Sequence, residues 1–321
     1  MSKPRVFIDG HAGTTGLRIR QWLANRSDLV LTTLEEADRK SDPARQKAIA
    51  ESELTILCLP DDAAAMAAHW ADESGSKVLD ASSFHRVADG WVYGMPELSP
   101  AQREAIRGAR RVTNPGCYPS AFVLMIRPLV EAGLVPASVP LSIHALSGYS
   151  GGGKSLIARW ESEEHGLRGL PFEAPYALER IHKHIPEMHR YSLLENAPQF
   201  VPAVGPFYCG MRVEVPLHAA ILASGVDGQA VWQAWHERYG DEPFVEVAPY
   251  KGFDPVDERS LDPTALAETN QIRLHVQPNV DGHLLLVGIL DNLGKGASGV
   301  AIQNLNLMLG LGEESGLPRA R

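Results

Sequence analysis

Cysteine is scarce in this chain: Cys58, Cys117 and Cys209 are the only three in 321 residues. An odd, scattered set argues against a disulfide framework and for free thiols in a reducing, cytoplasmic setting. A basic excess is also missing, with 30 Lys and Arg against 39 Asp and Glu and a formal net charge of −9. That balance excludes the electrostatic footprint of a nucleic-acid binder. No run of about 18 apolar residues occurs, so no membrane span is expected. The first residues, MSKPRVFIDG, enter a strand-like run without the apolar core of a signal peptide. Internal repeats and low-complexity tracts are absent too. What remains is a chain of 44% hydrophobic and 21% charged residues, long enough for two domains with sizeable cores.

Short apolar runs at 5–9 (RVFID), 29–34 (LVLTTL), 54–60 (LTILCLP), 77–82 (KVLDAS) and 110–114 (RRVTN) alternate with helix candidates such as TGLRIRQWLANR, PARQKAIAES and DDAAAMAAHWA. Strand and helix alternating at this spacing predict βαβ units around a parallel sheet. The pattern then changes. MRVEVPLHA (211–219) and QIRLHVQ (271–277) alternate apolar and polar residues, and HLLLVGIL (283–290) follows a turn at Asp281-Gly282. Those signals predict antiparallel pairing with one wet face. Residues 160–208, rich in Gly, Pro, Glu and His, read as long functional loops. The tail ASGVAIQNLNLMLGL reads as an apolar helix.

The first strand runs into GHAGTTG, residues 10–16. Its glycines, Gly10, Gly13 and Gly16, stand between a strand and a helix, where backbone N–H groups and the helix dipole favour a dinucleotide pyrophosphate. Glu35 and Glu36 sit where a ribose-binding acid would favour NAD, yet Arg39 and Lys40 follow and suit a 2′-phosphate. The residues leave both cofactors open. A second glycine-rich stretch, GYSGGGKS (148–155), matches the Walker A pattern letter for letter. Its mid-chain position, entering an antiparallel region, argues against a nucleotide triphosphate and for a loop holding a substrate anion through Ser147, Ser150 and Lys154.

Cys117 lies in RVTNPGCYPSA, after a strand and before the helix signal AFVLMIRPLVEAG. A thiol at a helix N-terminus gains thiolate character, and ligands bind at the carboxyl edge of parallel sheets. Cys117 is therefore the candidate nucleophile, whereas Cys58 and Cys209 read as packing residues. The cluster IHKHIPEMH (181–189) offers the base: His184 first, His182 second, with Glu187 beside them. A metal site on His182, His184 and His189 is the weaker reading, because no cysteine pair supports it.

The segments GHAGTTGLRI, LPDDAA, DASSFHR, GWVYGMPEL, NPGCYPSA, SGYSGGGKS, HKHIPEM and DNLGKGASGVAIQN occur in order from residue 10 to about 304. Together they resemble the short form of the N-acetyl-γ-glutamyl-phosphate reductases, within the semialdehyde dehydrogenase family. The resemblance implies a Rossmann-type α/β nucleotide domain (1–116 with 293–321) and an α+β domain (117–292) with a mainly antiparallel sheet, as in glyceraldehyde-phosphate dehydrogenase. It implies NADP(H) as cofactor, held by Gly10, Ala12, Gly13, Thr14, Thr15 and Gly16, by Arg39 and Lys40, and by Pro60, Ser82, Asn292, Lys295 and Gly296. Cys117 takes the nucleophile's place, with His184 or His182 as base. The implied substrate residues are Arg86, Asn114, Ser147, Gly148, Ser150, Gly151, Lys154, Glu187 and Gln303. Lys154 departs from the family's usual arginine, replacing a bidentate fork with a point charge. The resemblance also implies an acyl-phosphate substrate, no metal, no nucleic-acid or membrane partner, and a homodimer or homotetramer. Reductases of N-blocked aminoadipyl phosphate or aspartyl phosphate, and a non-catalytic NADP-binding protein, stand as alternatives.

Overall fold

The first apolar run becomes strand β1 (Arg5–Asp9), and the next become β2 (Val30–Thr32), β3 (Leu54–Leu57) and β4 (Lys77–Asp80) in a computed structural model that describes residues 3–320. Val92–Tyr93 (β5) and Arg111–Thr113 (β6) join them. Among the described residues these form one six-stranded sheet in the order β2-β1-β3-β4-β6-β5, parallel throughout. Every residue of β3 is buried, Thr55 included, so its run LTIL shows no alternation between a core face and a wet one. Helices α1 (Thr14–Leu23), α2 (Asp42–Ala50), α3 (Asp61–Ser74) and α4 (Gln102–Gly108) make the crossovers. Strand order reverses between β1 and β3, which puts the glycine turn after β1 at the switch point where open sheets bind ligands. The apolar tail forms a helix, Gly299–Met308, buried at every residue and packed on Ile8, Ile19, Ile106 and Val112.

The following residues build a mixed sheet. Its elements are α5 (Cys117–Glu131), β7 (Ser142–Gly148), α6 (Gly153–Glu161), β8 (Ala174–Pro175), α7 (Ile185–Tyr191), β9 (Gln199–Gly205), β10 (Met211–Leu217), α8 (Gly228–Tyr239), β11 (Val245–Val247), β12 (Ile272–Pro278) and β13 (Leu284–Leu290). The strand order is β11-β12-β13-β10-β7-β9-β8. Two pairs, β7 with β9 and β11 with β12, run parallel; the other four are antiparallel. The β12–β13 turn closes as its Asp-Gly pair predicts: Gly282 takes φ +80°, and Asn279 exchanges backbone hydrogen bonds with Gly282 and His283. Gly288 of β13 lets α5 approach closely, since a Cβ there would lie 3.2 Å from that of Ala121. Trp235 and Tyr239 of α8 donate to the carbonyls of Met125 and Leu124, both at 2.8 Å, which locks α8 to α5.

The stretch expected to be long loops, 160–208, holds β8, α7 and all of β9. Pro202 inside β9 disguised that strand, because proline seldom enters a sheet interior. By contact the chain divides into two compact units: residues up to Pro115 with Ala297–Leu317, and Gly116–Gly296 with the residues from Pro318 on. Residues 293–296 fall with the second unit because Asp291 accepts the N–H groups of Gly294 and Gly296 (3.1 and 2.9 Å).

Candidate active site

In the first unit the turn after β1 is built for a close-approaching anion. Gly10 takes φ +86°, and a Cβ there would meet the Cys58 carbonyl oxygen at 2.3 Å. A Cβ on Gly16 would meet the Gly10 oxygen at 2.6 Å, so both glycines are demanded by the chain itself. Gly13 is different. A Cβ there would find nothing nearer than 3.5 Å, so packing does not require its absence and the space lies open to a ligand. Gly13 is also the N-cap of α1 and makes no side-chain cap, leaving the first-turn N–H groups of Thr14, Thr15 and Gly16 to serve an anion. These features fit a dinucleotide pyrophosphate. Beyond β2, Arg39 and Lys40 sit on an exposed turn, and Arg39 donates to Glu36 at 2.6 Å. Pro60 caps α3.

At the end of β4 stands a second polar cluster. Asp80, fully buried, accepts from the Ser82 amide (2.8 Å) and hydroxyl (2.7 Å), and lies 2.6 Å from His85 Nδ1. His85 stacks on Trp91 with ring centroids 3.9 Å apart. Arg86 is buried and donates to the Ser82 carbonyl at 3.0 Å, so part of its guanidinium holds this turn.

The second unit gathers the nucleophile candidate and its partners. Cys117 is the first residue of α5, with Gly116 as N-cap, so the thiol sits at the positive end of a 15-residue helix. Buried Glu187 accepts the Gly116 N–H through Oε2 at 3.0 Å. Its Oε1 lies 4.0 Å from His184 Nε2. His184 and Glu187 meet because His184 caps α7 and Glu187 lies three residues further, on the same face. One carboxylate thus touches both the residue before the thiol and the candidate base. His182 Nδ1 accepts the His184 backbone N–H at 3.2 Å. Tyr176 donates to Tyr118 at 3.0 Å and lies 3.5 Å from His182 Nε2. Burial pushes both tyrosine hydroxyls up, Tyr118 well above its ordinary value, with the nearby Cys117 sulfur adding to each. Gly296 closes on the thiol: a Cβ there would lie 2.7 Å from Cys117 Cβ. Burial pushes the Cys58 thiol to about 12, keeping it protonated and inert, and none of the three cysteines is in a disulfide.

Residues 117–292 match the family described as semialdehyde dehydrogenase, dimerisation domain, and residues 24–108 match its NAD binding domain. The chain belongs to the semialdehyde dehydrogenase family. It is 48% identical over 324 residues to N-acetyl-gamma-glutamyl-phosphate reductase 2 of Nostoc sp. PCC 7120, covering 99% of this chain and all of the relative. The N-acetyl-gamma-glutamyl-phosphate reductase of Burkholderia orbicola is 45% identical, covering 97% of this chain and 98% of its own. In fold the chain is similar to aspartate semialdehyde dehydrogenase II from Vibrio cholerae. That match has a TM-score of 0.71 at 16% identity, over 97% of this chain and 99% of that one.

Several of the residues expected at the site make hydrogen bonds within the chain. Gln303, expected at the substrate, is fully buried, with its amide donating to Glu97 and Glu313, both at 2.8 Å. Asn114 donates to the Ala297 carbonyl at 2.9 Å and accepts from Asn304. Lys295 is turned inward, its ammonium 5.6 Å from the centre of the Phe244 ring. Asn292 donates to Ser150 Oγ (3.0 Å) and accepts from the Gly210 amide (2.8 Å), so it braces the 148–152 loop from within. Ser147 donates to the Gly148 carbonyl at 3.1 Å. Gly148 is needed because a Cβ would meet the Tyr208 oxygen at 2.5 Å, and Gly151 lies against Asn292.

That loop is no triphosphate cradle. The amides of Gly148, Tyr149 and Ser150 donate to the carbonyls of Gly210, Phe207 and Tyr208 at 2.9 to 3.0 Å, so they are already spent. Lys154 points to solvent from the first turn of α6. Sequence reasoning missed Tyr118, Tyr176 and the Asp80–His85 pair. Tyr118 was signalled only by adjacency to Cys117, and His85 by its place in SSFHR; Tyr176 carried no signal. Among the described residues no group of three metal-ligating side chains converges.

Proposed function

We propose that this protein reduces N-acetyl-γ-glutamyl phosphate to N-acetylglutamate semialdehyde with release of phosphate, using NADPH, as a step of arginine biosynthesis. The observation that carries the reading is the bridge of Glu187 from the amide preceding Cys117 to the vicinity of His184. The names of the relatives at 45 to 48% identity supply the substrate.

The chemistry follows from that arrangement. His184 takes the Cys117 proton, helped by the Glu187 carboxylate, which favours the imidazolium. The thiolate attacks the acyl carbon, the carbon–oxygen bond to phosphate breaks, and inorganic phosphate departs with its electron pair, leaving a thioester on Cys117. NADPH, when bound, supplies a hydride to that thioester carbon. His184 handles the proton on the substrate oxygen as the carbon–sulfur bond breaks and the thiol is restored. The Glu187 contact with the Gly116 amide holds the start of α5, and so the sulfur, in one place. Gly10, Gly13 and Gly16 with the α1 N-terminus hold the pyrophosphate, and Arg39 with Lys40 the 2′-phosphate. Ser150, Lys154 and Arg86 are assigned to anionic groups of the substrate.

Residues 117–292, matched by a dimerisation domain, are proposed to pair with a second copy through the partly exposed sheet face bearing Leu146, Arg212, Glu214 and Leu285. A cytoplasmic setting is assigned with it. The test is NADP reduction in the reverse direction. N-acetylglutamate semialdehyde with phosphate should turn over, and free aspartate semialdehyde should be used at least 100-fold less well in kcat/KM, about 3 kcal/mol of discrimination. Preference for aspartate semialdehyde would reverse the substrate assignment.

A further inference from the structure

Two histidines pack against Tyr118, the residue after Cys117, and the surrounding hydrogen bonds give them different roles. His182 Nδ1 accepts the backbone N–H of His184 at 3.2 Å. A ring nitrogen that accepts carries no proton, so neutral His182 holds its hydrogen on Nε2. Nε2 faces the Tyr176 hydroxyl at 3.5 Å, and Tyr176 in turn donates to Tyr118 at 3.0 Å. Every link runs one way: His184 N–H to His182, His182 to Tyr176, Tyr176 to Tyr118. Protonating His182 on Nδ1 would break the first link.

The local fold is arranged to make this chain. Tyr176 and His182 are six residues apart, and the turn between them holds Ala177 and Arg180 at φ +49° and +63°, left-handed conformations that side-chain-bearing residues avoid. The ring of His182 is then enclosed by Tyr118 from α5, Tyr176 just after β8, His184 at the start of α7 and Phe200 from β9.

We propose that Tyr176 is a positioning residue: with Tyr118 it fixes His182 as a neutral Nε2–H donor, so that His182 anchors the main chain of His184 and leaves His184 as the base for Cys117. The proposal rests on the thioester reading above. It gives separate roles to the two histidines, which the sequence had only ranked, His184 first and His182 second.

The test has one arm independent of turnover. Selective 15N-histidine NMR of the full-length protein at neutral pH should find His182 neutral with Nδ1 bare, and Tyr176→Phe should release it to a mixture of tautomers or to the cation. A His182 that is cationic, or protonated on Nδ1, in the unaltered protein overturns the proposal and leaves the reductase reading standing. In the kinetic arm, Tyr176→Phe should lower kcat about tenfold with KM little changed, the size expected from a misplaced group. His182→Asn, whose Oδ1 can accept the same N–H, should stay within about tenfold of the parent, and His184→Asn should lose at least about 1,000-fold. Tyr176→Phe should cost nothing further on top of His182→Asn, since both cut one chain. Equal inactivity of His182→Asn and His184→Asn, or full additivity, also overturns the proposal. Undiminished turnover by Cys117→Ser would instead sink the thioester mechanism itself.

Discussion

Glu187 and Gly116 are joined by a 3.0 Å hydrogen bond in which a buried carboxylate accepts the amide one residue before Cys117. The same carboxylate lies 4.0 Å from His184 Nε2. Position of the nucleophile and strength of the base therefore depend on one side chain, and the two effects separate by substitution. Glu187→Gln keeps an acceptor for the Gly116 N–H and removes the charge. It should leave the melting temperature nearly unchanged and lower kcat about 10- to 100-fold, the range of a weakened general base. Glu187→Ala strands a buried N–H and should also cost about 1–3 kcal/mol of stability in denaturant unfolding. Equal stability loss in both variants would mean that the charge, and not the hydrogen bond, holds the fold here.

The glycines of the β1–α1 turn separate packing from ligand contact. Gly13→Ala creates no clash within the chain, whereas Gly16→Ala would force a Cβ to 2.6 Å from the Gly10 oxygen. Gly13→Ala should therefore fold and melt as the parent does, yet weaken NADPH binding by at least about tenfold, because its methyl group occupies the space a phosphate needs. Gly16→Ala should lower stability and binding together. Unchanged NADPH affinity in Gly13→Ala, measured by titration calorimetry, would move the cofactor away from this turn.

His275 on β12 sets a pH dependence of stability away from the chemistry. Burial, followed by the nearby Arg273 cation, holds it down to about 4 from an ordinary 6.5, with Lys251 adding and Glu246 opposing. Its Nε2 has no hydrogen-bond partner among the described residues. Between pH 6.5 and 4 the unfolded chain binds this proton and the folded chain does not, so stability is full above 6.5 and falls as pH drops toward 4. The loss approaches roughly 3 kcal/mol. His275→Phe should flatten that part of the profile in urea unfolding at stepped pH; the same slope in both proteins would assign it to other groups.

Much of this was legible in residue order. The glycine turn, the five longer strands of the parallel sheet and the helix opened by NPGCYP all announce themselves, because local periodicity and turn residues agree there with the tertiary structure. β9 did not, since Pro202 broke its pattern while flanking strands held it in place. In the site, Cys117 and His184 follow from motif chemistry. Tyr176 does not, because its importance arises only when the 177–181 turn folds back to face His182. The hydrogen bonds of Gln303 to buried Glu97 and half-buried Glu313 were equally out of reach of the sequence. Burial of polar groups is decided by partners distant in sequence, which no local pattern records.

The central claim is that a thioester forms on Cys117. The direct measurement is to mix the protein with N-acetyl-γ-glutamyl phosphate in the absence of NADPH, quench in acid and weigh the intact protein and its peptides by mass spectrometry. One equivalent of phosphate should be released in a burst, with one N-acetylglutamyl group on the Cys117 peptide that disappears when NADPH is added and is absent from Cys117→Ser. Steady reduction of the substrate with no adduct on Cys117, or with the adduct on another residue, would contradict the account.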